Sequence, residues 1–167
     1  MREKLNFPKM MALFAIAVTS ILAPPFLTPT FAQSPHFIGQ STCSIDPDTL
    51  ALVCEGSIGG LGSATNVEAF LVADFFGTFE CTNPASNVAP GQTDIADLEG
   101  ETVTLEVRSG RTNFGEATGF PLTIAVPTDF DCPNRKWTGE FVSVTFSNVR
   151  VVVNGIPLAI GVTFTFP

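Results

Sequence analysis

Carboxylates are the reactive groups this sequence holds in number: 16 Asp and Glu stand against 8 Lys and Arg and a single histidine. Glycoside hydrolysis would need two of them facing one cleft, one kept protonated by an apolar pocket. Asp74, within Ala73-Asp74-Phe75-Phe76, is the one acid in strongly apolar company. It is expected on the wet face of its sheet, because unpaired burial of a charge is costly. Calcium is the other chemistry that acids support. Asp94, Asp97, Glu99 and Glu101 crowd one stretch, and Asp46/Asp48 and Asp129/Asp131 are spaced two apart. Oxygen-rich runs of this kind bind Ca²⁺, although none has EF-hand spacing. Asp94, Asp97, Glu99, Asp129 and Asp131 are therefore the calcium candidates, against the plainer reading that they keep the chain soluble. His36, the only histidine base, is expected to be solvated on a fraying chain end. The sequence has no G-x-S-x-G, phosphate loop or H-E-x-x-H. No catalytic residue and no cofactor is assigned.

The four cysteines and the first residues address the chain. Arg2, Lys4 and Lys9 precede an apolar run from Met10 to Ala23, and Thr30-Phe31-Ala32 offers a small-residue cleavage site. This is the layout of a secretory signal, with cleavage expected after Ala32; the run is short for a membrane span. Residues 1–32 are read as leader and 33–167 as one domain, secreted or at the cell surface, with the periplasm as an option. Losing Arg2, Lys4, Lys9 and Glu3 leaves five basic residues against fifteen acidic. So acidic a surface repels nucleic acid and anionic lipid. Cys43, Cys54, Cys81 and Cys132 all lie in the exported part, an even count that reads as two disulfides.

The elements that must position these groups are strands. Val, Thr, Ile and Phe dominate short runs punctuated by 14 Gly and 13 Pro. Strands are expected near 36–44, 49–59, 66–82, 101–109, 117–126, 136–147, 148–153 and 156–166. Val103, Leu105 and Val107 alternate with polar neighbours. In 137–146 the apolar set slips from Trp137, Gly139 and Phe141 to Val142, Val144 and Phe146, the mark of a β-bulge. Asn154-Gly155 signals a type I′ hairpin. A second hairpin with its tip at Asp48-Thr49 would place Cys43 directly opposite Cys54, within disulfide reach. That register selects Cys43–Cys54 and Cys81–Cys132 from three connectivities. Seven to eight short strands at regular spacing predict an all-β antiparallel sandwich, immunoglobulin-like or related. An eight-stranded outer-membrane barrel is the rival, but the sequence lacks Tyr and has one Trp where such barrels carry aromatic girdles.

The stretch 83–100 reads as the longest irregular loop, and long loops are often functional. A Cys81–Cys132 bond would set it beside Asn134, Arg135 and Lys136. Asn83, Asn134, Arg135 and Lys136 are accordingly the expected ligand rim. Trp137 is either a binding aromatic or a core residue packed on the disulfide.

Three segments occur together: Cys54-Glu55-Gly56 with Gly60-Leu61-Gly62, Cys81-Thr82-Asn83-Pro84 with Pro90-Gly91, and Cys132-Pro133-Asn134-Arg135-Lys136-Trp137. They resemble a loosely defined set of small secreted bacterial and fungal β-rich proteins. The resemblance implies export and agrees with pairing Cys81 to Cys132; the set has no established activity, so it transfers no site residue. The expectation that follows is a non-catalytic extracellular binding or surface-interaction module with an unknown extracellular ligand or surface component as partner. A structural envelope or matrix component and a carboxylate-dependent hydrolase are the alternatives.

Overall fold

The computed structural model describes residues 34–167; the expected leader and its cleavage site after Ala32 lie outside them. The described residues fold into eleven strands. They are β1 (His36–Phe37), β2 (Thr42–Ile45), β3 (Leu52–Gly59), β4 (Asn66–Thr82), β5 (Val88–Glu99), β6 (Val103–Glu106), β7 (Thr112–Phe114), β8 (Leu122–Ile124), β9 (Thr138–Val153), β10 (Ile156–Ala159) and β11 (Phe164–Phe166). All pairings are antiparallel and fall into two sheets, which pack as a β-sandwich.

The larger sheet has β4 and β9 at its centre, with β5 and β6 along the outer side of β4 and β10 and β11 along that of β9. The smaller is built on β3, flanked by β1 and β2 on one side and by β7 and β8 on the other. Period-two alternation explains the core. Val67, Ala69, Leu71, Ala73 and Phe75 of β4 and Val144, Phe146, Val149, Val151 and Val153 of β9 point inward and meet Leu52, Cys54, Ile58, Leu122 and Ile124 of the smaller sheet.

Asn154-Gly155 forms its type I′ turn, with φ of 47° and 81°, and joins Val153 to Ile156. The register Cys43↔Cys54 and Ile45↔Leu52 is as expected. Its turn is held by Asp46, whose Oδ1 accepts the Asp48 and Thr49 N–H groups at 2.8 and 2.9 Å. Both disulfides form, Cys43–Cys54 and Cys81–Cys132. The first joins neighbouring strands of one sheet. The second ties the end of β4 to the segment between β8 and β9. Neither crosses the sandwich, as the immunoglobulin bridge does.

Four expectations need correction. The stretch 83–100 is not an irregular loop. A tight turn at residues 83–87, in which Asn83 Oδ1 accepts the Ala85 and Asn87 N–H groups at 2.9 Å each, leads into β5, twelve residues long. The runs 136–147 and 148–153 form a single strand, β9. Conversely, the runs at 36–44 and 156–166 each break in two, at Gly39 and Gly161, which take φ of 77° and 76°. The fourth is β7, a strand entered from β6 through Ser109-Gly110, both at positive φ. These breaks and additions turn seven or eight runs into eleven strands.

The bulge expected near Val142 is present: Phe79 pairs with Phe141 but Thr78 with Ser143, leaving Val142 as the inserted residue. A second irregularity crosses the whole sheet. β9 carries one extra residue opposite Ala73 and β5 one opposite Asp74, with Asn148 and Asp97 at φ of 50° and 53°.

Candidate functional site

Seventeen-residue β4 and sixteen-residue β9 outrun the eight-residue β3. One end of the larger sheet therefore extends past the smaller one and needs another cover for its inner face. Phe79 and Phe141 lie on that face, and Phe130 of the β8–β9 segment packs on both, with ring centroids 5.1 and 4.9 Å away. Glycines make room for the rings. A Cβ on Gly91 would sit 2.4 Å from the Phe79 ring, one on Gly139 2.3 Å from Phe130, and one on Gly77 2.5 Å from Phe141. Rings laid over glycines in a neighbouring strand restore the packing that glycine lacks. Cys132, two residues after Phe130, then bonds Cys81.

The segment so pinned turns back into β9 through Asn134, whose Oδ1 accepts the Lys136 N–H at 3.0 Å while its carbonyl accepts the Trp137 N–H at 3.0 Å. Between this turn and the start of β9 opens a hollow of about 580 Å³, within the range of small-ligand sites. Asp129, Asn134, Arg135, Trp137 and Thr138 line it, over a floor of Phe130 and Cys132. Trp137 is half-buried and outside the main core. Asp129 and Arg135 are exposed, and neither makes an ion pair among the described residues.

The expected rim is thus partly assembled. Asn134 and Arg135 line the hollow; Lys136 lies beside them in sequence but does not. Asn83 is spent on the β4–β5 turn and is not a lining residue. Thr128, Phe130, Thr138 and Gly139 also line it and were not singled out from sequence. Phe130 carried a signal, as the lone apolar residue between two aspartates.

The calcium candidates do not gather. Asp94, Asp97 and Glu99 are exposed along edge strand β5, and Asp129 and Asp131 belong to the β8–β9 segment. Among the described residues no group of three or more His, Cys, Asp or Glu side chains is placed to hold a metal ion.

Asp74 is on the outer, wet face, beside both bulges. Its carboxylate accepts from the Asn148 side-chain amide and, at 3.2 Å, from the Asp97 N–H. Those two bonds, with the Arg150 charge, hold its pKa below the ordinary carboxylate value. Arg150 in turn pairs with Asp97. The acid in apolar company is thus the knot of a bulge network. Elsewhere, three carboxylates, Asp46, Glu55 and Glu116, line a hollow beside Cys43–Cys54. Asp46 is held low there by the Thr49 and Asp48 N–H groups, opposite to the shift a general acid needs. The His36 side chain is exposed, as expected, while its backbone pairs with Gly59 of β3.

No protein-family model matches the chain, and no curated protein is found to be similar to it. Among the described residues no helix is long and apolar enough to cross a membrane.

Proposed function

We propose that this is an exported, non-catalytic recognition module, freed of its leader after Ala32 and acting outside the cytoplasm. One observation carries the reading. A disulfide and a phenylalanine anchor are spent on holding a solvent-open hollow where an aromatic, an amide, a hydroxyl and both signs of charge converge: Trp137, Asn134, Thr138, Arg135 and Asp129. Apolar walls with a few convergent polar groups are the usual make-up of a ligand seat. Two disulfides suit an oxidising compartment, and the likeness to small secreted proteins with the same cysteine motifs belongs to the same proposal. The kinship with immunoglobulin-like domains is one of sandwich architecture and of presenting a site at one end.

The test is binding of the exported protein to arrays of glycans, cell-wall fragments and extracellular proteins, repeated with Trp137→Ala and Arg135→Ala. Truncating an aromatic or arginine anchor costs about 2 kcal/mol or more, roughly thirtyfold in affinity. A hit that both variants retain at full strength removes the hollow from the reading.

One observation favours a second reading, a structural component of an envelope or matrix. Beyond the smaller sheet, Phe76, Val88 and Val142 are 39%, 53% and 51% exposed, and β5 is hydrogen-bonded on one side only. Such a component self-associates. Sedimentation showing a monomer at tens of micromolar, in about 0.15 M salt where surface charge is screened, would discard it.

A further inference from the structure

A different hollow, away from the Trp137 site, has a composition at odds with the rest of this acidic chain. It lies where β1 meets the end of β3 and the β6–β7 turn. Among its lining residues are His36, Gly60, Gly62, Ser109, Gly110 and Arg111, and among the described residues no carboxylate lines it. Arg111 is exposed and makes no ion pair among the described residues, whereas nearby Arg108 is matched by Glu106 at 3.3 Å. His36 Nδ1 lies 3.1 Å from the Ser34 carbonyl oxygen. A ring that donates there leaves Nε2 free, and as an imidazolium it donates from both nitrogens.

The backbone adds to this. Gly60, Gly62, Ser109 and Gly110 all have positive φ, between 53° and 74°. The two turns are docked by the Leu61 N–H on the Gly110 carbonyl at 3.1 Å. Among the described residues the Gly62 and Gly110 N–H groups donate to no backbone carbonyl. A Cβ at Gly62 would meet nothing within 4 Å, whereas one at Gly110 would lie 3.2 Å from the Gly62 carbonyl oxygen, so the two turns pack on each other with Gly62 on the open side. Free N–H groups in turns with left-handed residues form concavities that bind anions, and a guanidinium gives planar, two-point recognition of an oxyanion.

We infer that this hollow is an oxyanion site, taking a phosphate or sulfate group on Arg111, the His36 ring and the glycine-turn amides. It accounts for the Gly59-Gly60-Leu61-Gly62 motif and does not depend on the Trp137 hollow.

The probes are inorganic phosphate and inorganic sulfate, titrated into the exported protein with its disulfides intact, against sodium chloride at matched ionic strength. Amide resonances of Gly60, Gly62 and Gly110 and the His36 ring signals should move saturably with the oxyanions. Arg111→Gln should weaken binding about tenfold or more, as loss of a charged hydrogen bond does, and Arg111→Lys should restore part of it. Both variants alter an exposed side chain, and an unchanged amide spectrum elsewhere verifies their fold. A sugar phosphate as a further arm tells a pendant ester from the free ion: tighter binding than phosphate assigns the ester. Equal shifts with chloride, or undiminished affinity in Arg111→Gln, would overturn the site.

Discussion

At the scale of single residues, glycine and phenylalanine do complementary work at the open end of the larger sheet. Phe79 is 4% exposed and lies against Gly91, its direct cross-strand partner. Gly91→Ala places a methyl where the ring must be, and overpacking of this kind costs about 1–3 kcal/mol. A denaturant titration should show that loss, with Gly155→Ala as a contrast: a Cβ there meets nothing, and the strain comes only from its φ of 81°. If Gly91→Ala is as stable as the parent, the ring-over-glycine account is wrong. Asp74 makes a pH prediction. Its folded pKa is depressed by the Asn148 amide, the Asp97 N–H and Arg150. Its contribution is therefore complete above the unfolded carboxylate value and is lost as pH falls through the lower folded one. Asp74→Asn should flatten the fall in melting temperature below about pH 4 and leave the slope near neutrality unchanged.

At the scale of elements, the strands that alternate cleanly are legible, and β4 is legible from the apolar run Ala69-Phe70-Leu71-Val72-Ala73, with Phe75, Gly77, Phe79 and Cys81 continuing one face. β5 was hidden. Its Pro90, Gly91 and three acids are residues that strands avoid, but at an edge the same residues serve another end. Among the described residues β5 pairs with β4 alone, and proline, charge and a bulge are the devices that stop an edge from recruiting foreign strands. Asp94, Asp97 and Glu99 thus lie along an open edge, where charge discourages pairing with a foreign strand. Of the four residues expected together, Asn134 and Arg135 line the hollow, since both adjoin Cys132 in sequence. Thr138 carries no such mark, and the part Phe130 plays depends on how far β4 and β9 outrun β3, which its flanking aspartates do not show. The disulfides can be ranked in the same terms. In the chain-entropy model the 51-residue separation of Cys81–Cys132 corresponds to about 4 kcal/mol and the 11-residue separation of Cys43–Cys54 to about 3 kcal/mol. The Cys43–Cys54 register is also fixed by the Asp46 turn, so its replacement by a serine pair should cost less than that of Cys81 and Cys132. Melting of the two double variants measures the order, and a reversed order would show that the turn does not hold the register.

At the scale of the molecule, the sandwich is lopsided. At about 3.4 Å per residue β4 is roughly 55 Å long, and the eight residues of β3 cover less than half of that length. The main core joins β3 and β8 to the first half of β4 and the second half of β9, and Phe79 and Cys81, though buried, lie outside it. The free end keeps an aromatic cluster, Phe79, Phe130 and Phe141, under a single pinned segment, and it adjoins the main core where Phe141 meets Phe75 edge-on at 5.7 Å. A region covered by fewer buried contacts opens more readily than the core it adjoins, and hydrogen exchange reports each opening. Amides of residues 66–75 and 144–153 should exchange at the slowest rate in the molecule, and those of 76–82 and 138–143 faster. Replacing Cys81 and Cys132 by serine should speed exchange in the second group by tenfold or more while scarcely changing the first, because the cover over Phe79 and Phe141 is then held by Phe130 alone. The proposed ligand seat is part of that cover, so a ligand bound between Arg135 and Trp137 should slow the same amides, in proportion to its occupancy. Uniform acceleration across β4 and β9 would mean that the sandwich opens as one unit, and that the bond steadies the whole fold rather than the site at its end.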